Sequence, residues 1–151
     1  MFKDVRITRD PFDEAAETKR MPVKAGAVVT FTGRVRAEEG LTALKLEHYP
    51  GMTQSEIHRH IAEAERRWPL LGVIIVHRVG IMHPGEPIVL VVVAAAHRRE
   101  AFEACEFLMD YLKTEAPIWK EEQRGDKSEW VAAKPFDQEA AERWKPLRDR
   151  R

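Results

Sequence analysis

Two stretches of nearly unbroken apolar residues, Gly72–Val79 (GVIIVHRV) and Pro87–Ala95 (PIVLVVVAA), stand out from a chain of otherwise mixed polarity. Both are short for helices and rich in β-branched residues, so each predicts a buried strand. They are joined through the turn residues His83-Pro84-Gly85. Gly26–Thr32 (GAVVTFT) reads as a third strand, buried on both faces and ended by Gly33. Leu41–Tyr49 instead alternates Leu44, Leu46 and His48 against Lys45 and Glu47. That alternation predicts a half-buried strand, closed by the turn pair Pro50-Gly51.

Elsewhere the hydrophobic period is helical. Thr53-Gln-Ser-Glu56 has capping-box spacing, which predicts a helix running to about Trp68 with Ile57, Ile61 and Ala64 inward and Pro69 as its stop. From Arg98 to Glu115 the residues Ala101, Phe102, Cys105, Leu108, Met109 and Leu112 recur at helical spacing. Pro117 disfavours helical geometry at Ala116 and ends that helix. Asp10-Pro11 supplies an N-cap and a first-position proline for a short helix to about Arg20. Ile118–Glu122 and Ser128–Ala132 read as a hairpin around Arg124-Gly125-Asp126, and a last helix covers Asp137–Trp144. Strands that follow one another in pairs predict an α+β protein with a mixed or antiparallel sheet and flanking helices, not a doubly wound parallel sheet.

Composition narrows the class. At 151 residues and 44% hydrophobic, the chain is expected to be one domain over 1–151, with about 1–5 and the basic end 145–151 loose. Its longest apolar run, Ile88–Ala96, is strand-sized and too short for a bilayer. The start, MFKDVRITRDPF, has no apolar core of signal-peptide type. One cysteine makes no intramolecular disulfide, so a reducing cytoplasm is the expectation. Lysine plus arginine (25) equal aspartate plus glutamate (25), which argues against broad electrostatic binding of nucleic acid. The cations are unevenly placed, however. Arg34, Arg36, His97, Arg98, Arg99, Lys113 and Lys120 fall at predicted strand or helix ends. A neutral protein with a local cationic pocket suits a small anion better than a polymer.

Lys113 and Lys120 flank the helix-ending Pro117. Their geometry is therefore set by the backbone break, and a lysine near an apolar wall and other cations becomes a usable base or nucleophile. The competing structural reading pairs Lys113 with Asp110 three residues back and leaves Lys120 solvated. His97-Arg98-Arg99 follows an apolar strand, where side chains emerge from the core and arginine can grip phosphate; the alternative pairs Arg99 with Glu103. Arg34 and Arg36 lie on one side of the next strand end. His58 and His60, two apart on a helix, do not face each other. With one cysteine and no suitable carboxylate spacing, no metal site is expected. Cys105 falls on the inward stripe and reads as core rather than sulfur carrier. There is no glycine-rich phosphate loop and no nucleophile elbow.

At these residues the chain resembles a known family, the large (catalytic) subunit of molybdopterin synthase. The resemblance is carried by GAVVTFTGRVR (26–36), LEHYPGMT (46–53), HRVG (77–80), PGEPIVLVVVAAAHRREAFEACEFLMDYLKTEAPIWKEE (84–122) and WVAAK (130–134). It implies an α/β hammerhead-type α+β domain and a sulfurtransferase of molybdenum cofactor biosynthesis. It also implies a central homodimer, each copy binding a small ubiquitin-like sulfur carrier to make a heterotetramer. The carrier's C-terminal Gly-Gly thiocarboxylate would enter a pocket and pass sulfur, twice, to cyclic pyranopterin monophosphate, forming the dithiolene of molybdopterin. No metal or dissociable cofactor is implied. Lys113 and Lys120 become the catalytic residues, the first as acid/base or transient covalent group and the second stabilising developing charge. Arg36, His97 and Arg98 become pterin-binding residues, with His97 able to shuttle a proton. Lys134 stands where the family has an arginine reaching in from the neighbouring subunit; it keeps the charge and loses the bidentate fork. The reading from another class is a non-catalytic module whose pocket holds the acidic tail of a small protein partner.

Overall fold

A computed structural model describes residues 1–131 and 135–146. The elements are β1 (Phe2–Thr8), α1 (Glu14–Thr18), β2 (Ala27–Arg34), β3 (Ala43–His48), α2 (Met52–Arg67), β4 (Leu70–Arg78), β5 (Gly80–Met82), β6 (Pro87–Ala95), α3 (Arg98–Thr114), β7 (Ile118–Arg124), β8 (Lys127–Val131) and α4 (Pro135–Glu142). They build two four-stranded sheets, β1-β4-β6-β2 and β5-β3-β7-β8. β1 runs parallel to β4, and every other pairing among the described residues is antiparallel. The α+β expectation stands.

β4 and β6 are apolar at almost every position because the first sheet is covered on both faces. Val73, Ile75, Val89, Val91 and Val93 pack under α2 and α3. Ile74, Val76, Leu90 and Val92 face the other way, toward Met21 and Phe12. A third cluster, Val35, Leu44, Leu46, Met82 and Ile88, joins the second sheet to the first.

Several local expectations are corrected. β1, which the sequence reading did not predict, begins within residues 1–5, expected to be loose, and runs on to Thr8. Its Asp4 and Arg6 alternate with Val5 and Ile7 and sit on a face where charge is compensated, Asp4 by Arg20 at 2.6 Å and Arg6 by Glu17 at 2.5 Å. β2 is an edge strand paired only with β6, and Val28 and Phe31 are exposed, so it is not buried on both faces. The first helix is capped by Asp13, which accepts from the Ala16 N–H at 3.1 Å, and not by Asp10. The capping box does not form: Gly51, at φ 81°, is the N-cap of α2, and the buried Thr53 is used elsewhere. Phe102 points outward at 60% exposure, while Ala104, Phe107 and Tyr111 complete the inward stripe of α3. The β7–β8 hairpin turns through Gly125 at φ 61°, as the sequence predicts. Of the end expected to be loose, 145–151, residues 147–151 lie outside the described residues, and Lys145 pairs with Glu142 at 3.1 Å.

Candidate active site

The break at Pro117 organises the site. α3 closes with the Glu115 N–H donating to the Tyr111 carbonyl at 2.9 Å, and the Ile118 N–H then donates to the Ala116 carbonyl at 2.7 Å. The Thr53 hydroxyl donates to the Pro117 carbonyl at 2.9 Å and accepts from the Tyr49 N–H at 3.1 Å. The Tyr49–Thr53 turn is therefore tied to the proline bend, with the buried Thr53 hydroxyl satisfied on both sides. On one side of the bend Lys113 occupies the last turn of α3. On the other, Lys120 lies in the middle of the second sheet, paired with Leu46 on β3 and Val131 on β8.

Two cavities adjoin at these lysines. The smaller, about 130 Å³, has apolar walls from Leu46, Met109, Leu112 and Ile118, with His77 among its lining residues. The larger, about 270 Å³, opens past Arg34, Arg36, Glu38, Glu122 and Phe136. Leu44, Ile88, Lys113, Lys120 and Asp137 line both. The junction is thus a pair of ammonium groups between an apolar slot and a charged vestibule.

The vestibule's charges are organised by arginines. Arg34 donates from Nε to the Gly85 carbonyl at 2.9 Å, which fixes its guanidinium. Arg36 reaches into solvent with its side chain 71% exposed, 3.9 Å from Glu38. Arg124 bridges Glu38 and Glu122 at 2.9 Å each, offsetting two of the acids that would otherwise oppose an anion. Cation placement of this kind, beside an apolar wall that limits screening, favours a bound anion more than the same charges on open surface.

The structure brings Arg36, Lys113 and Lys120 to one crevice and leaves His97 and Arg98 apart from it. His97 is the N-cap of α3 and Lys113 is in its last turn. At 1.5 Å per residue that separation is about 24 Å within one chain. Arg99 pairs with Glu103 at 3.0 Å, as in the structural alternative. Lys134 lies outside the described residues. Cys105 is buried and burial pushes its thiol up to about 12, so it stays a protonated, inert core residue. His60 stacks on Tyr111 with ring centroids 3.4 Å apart, away from the crevice. Among the described residues no three His, Cys, Asp or Glu side chains gather as a metal-ligand set, and no helix is long and apolar enough to cross a membrane.

One cavity-lining residue that the sequence reading did not single out is His77. It is 7% exposed, on a central strand, and lines the smaller cavity with Lys113. The available signal was the polar pair His77-Arg78 interrupting an apolar strand, GVIIVHRV.

Comparison with known proteins gives a consistent family. Residues 7–115 match the family described as MoaE protein. A molybdopterin synthase catalytic subunit of Mesorhizobium japonicum is 57% identical over 147 residues, covering 93% of this chain and 92% of the relative. Among solved structures, the molybdopterin biosynthesis MoaE protein from Burkholderia ambifaria superposes with a TM-score of 0.82 at 47% identity, covering 95% of this chain and 98% of that one. A protein–protein complex of subunits 1 and 2 of molybdopterin-converting factor from Helicobacter pylori shares the fold, with a TM-score of 0.72 at 22% identity over 84% of this chain and 89% of that one.

Proposed function

The chain belongs to the MoaE protein family, and from that membership we propose that it is the catalytic subunit of a molybdopterin synthase. It transfers sulfur from the C-terminal thiocarboxylate of a small carrier subunit to cyclic pyranopterin monophosphate. The observation that carries this reading is the lysine pair at the meeting of two cavities.

Two anions must be brought together, and they repel each other in water. The apolar slot suits the slender Gly-Gly tail of a ubiquitin-like carrier, whose thiocarboxylate would end between Lys113 and Lys120. The arginine-lined vestibule suits the phosphate-bearing pterin, with Arg36 as its anion ligand. Lys113 then acts as the acid/base or transient covalent group as the thiocarboxylate is consumed, and Lys120 stabilises the charge that develops. His97 and Arg98 can serve the same pocket only if a second copy brings them, which fits a homodimer at the centre of a heterotetramer. The setting is the cytoplasm, where the carrier's thiocarboxylate and the enzyme's single thiol stay reduced.

The test is reconstitution of the purified chain with a thiocarboxylated carrier and the cyclic pterin, followed by an assay for dithiolene. Lys113→Ala is expected to abolish product while the protein stays folded and still binds carrier. Carrier binding without conversion by the unaltered protein, together with tolerance of Lys113→Arg and Lys120→Arg, would instead establish a module that only holds an acidic tail.

A further inference from the structure

We propose that His77 is a positioning residue for this reaction, an imidazole acceptor fixed at the wall of the smaller cavity to orient the Lys113 ammonium. The inference rests on the reading of Lys113 as the reactive group and extends it to a side chain from a different sheet.

The placement follows from strand alternation. Val73 and Ile75 point toward α2 and α3 within the main core, and His77 is the next residue of β4 on that face. Its backbone is paired with Ile7 and Val89, an arrangement any β-branched residue could satisfy. A polar ring here is therefore not required by the sheet. What it adds is a nitrogen at the cavity wall, beneath the C-terminal end of α3.

The tautomer can be assigned from one contact. Nδ1 lies 2.9 Å from the Arg78 carbonyl, and a carbonyl has no proton to give. Nδ1 must therefore be the donor, and in the neutral ring Nε2 carries a bare lone pair. The ring is neutral across the physiological range. Burial pushes its pKa down to about 4, against the hydrogen bond to the Arg78 carbonyl, and Lys113 adds to the lowering.

The groups facing it come from several elements. Lys113 on α3, Lys120 on β7 and Asp137 on α4 line the same cavity, and His48 on β3 acts on the ring electrostatically. Among them His77 supplies an acceptor without a formal charge. A carboxylate at this position would bind the ammonium as an ion pair and oppose the approach of an anionic thiocarboxylate. A neutral imidazole offers Lys113 an acceptor without adding a further negative charge to the cavity.

Three substitutions separate this role from packing. His77→Asn keeps a donor for the Arg78 carbonyl and loses the acceptor, and His77→Leu loses both. Each is expected to lower kcat at least about tenfold, the scale of one oriented interaction. Carrier binding and pterin KM should stay near the unaltered values, and the limb of the pH–rate profile set by Lys113 should move. His77→Gln places an amide oxygen near the Nε2 position and is expected to recover much of the rate. Nitrogen-15 spectra of the histidine-labelled unaltered protein supply a measurement independent of variant folding, in which the Nδ1–H tautomer should persist to pH 5; in Lys113→Met the Nε2 resonance should shift. Unchanged kcat and pH profile in His77→Leu, equal impairment by the asparagine and glutamine variants, or an Nε2–H tautomer would overturn the proposal. Full activity of Lys113→Ala would instead overturn the underlying reading, whatever the His77 variants do.

Discussion

The Trp144 indole donates to the Asp110 carboxylate at 2.7 Å, and Arg143 donates to the same oxygen at 3.1 Å. The carboxylate that sequence spacing offered to Lys113 is thus engaged by the chain after α4. Trp144 also packs edge-on against Trp68 and Phe107, with centroids 5.6 and 5.5 Å away. This cluster holds α4 against α3, and α4 supplies Phe136 and Asp137 to the crevice.

Trp144→Phe, which removes only the indole donor, should cost about 1 kcal/mol of stability in urea unfolding. Trp144→Ala, which also removes the aromatic contacts, should cost about 3 kcal/mol. Both should raise pterin KM more than they lower kcat, because the larger cavity loses a wall while the lysines keep their places. Equal stability of the phenylalanine and alanine variants would show that the ring packing contributes nothing.

Thr53 is fully buried and its hydroxyl bridges Tyr49 and Pro117. Thr53→Val keeps the shape and leaves a backbone N–H and a carbonyl unpaired, a loss of about 2 kcal/mol. Because the Pro117 bend sets the Lys113–Lys120 geometry, kcat should fall together with stability. Thr53→Ser should retain both, measured by thermal unfolding and the reconstituted assay.

Cys105 should be silent in the chemistry. Its thiol is buried and pushed up to about 12, so a thiol reagent such as dithionitrobenzoate should react with it in the native protein only at the rate of unfolding. Cys105→Ala should keep wild-type sulfur transfer, since in the proposed reaction the sulfur comes from the carrier. Rapid native labelling would contradict the burial.

Stability should decline in acid. The His77 pKa is lowered from 6.5 to about 4 by burial, and His60 is lowered as well, chiefly by burial. The unfolded chain binds protons first, so the contribution is complete above pH 6.5 and is lost as pH falls toward 4. For His77 it amounts to about 3 kcal/mol. Urea midpoints measured between pH 7 and 4 should fall, and His77→Gln should flatten that dependence.

Elements whose signal is local could be read from the residues alone. β4 and β6 were legible because strands covered on both faces need an apolar side chain at nearly every position. The long α3 was legible from its period and its proline stop, and the β7–β8 turn from Gly125. The lysines at the Pro117 break were legible as candidates because a backbone break constrains its neighbours. What these residues meet emerged only from the packed chain. The compensation of the charges on β1 by Glu17 and Arg20 is a proximity no periodicity records. The length of α3 parts His97 and Arg98 from Lys113, although all three share one helical segment. His77 was not singled out in the sequence, and only the sheet carries it to the wall of the cavity that Lys113 also lines. Which charged groups share a crevice depends on long-range packing, and that information is spread over the whole chain.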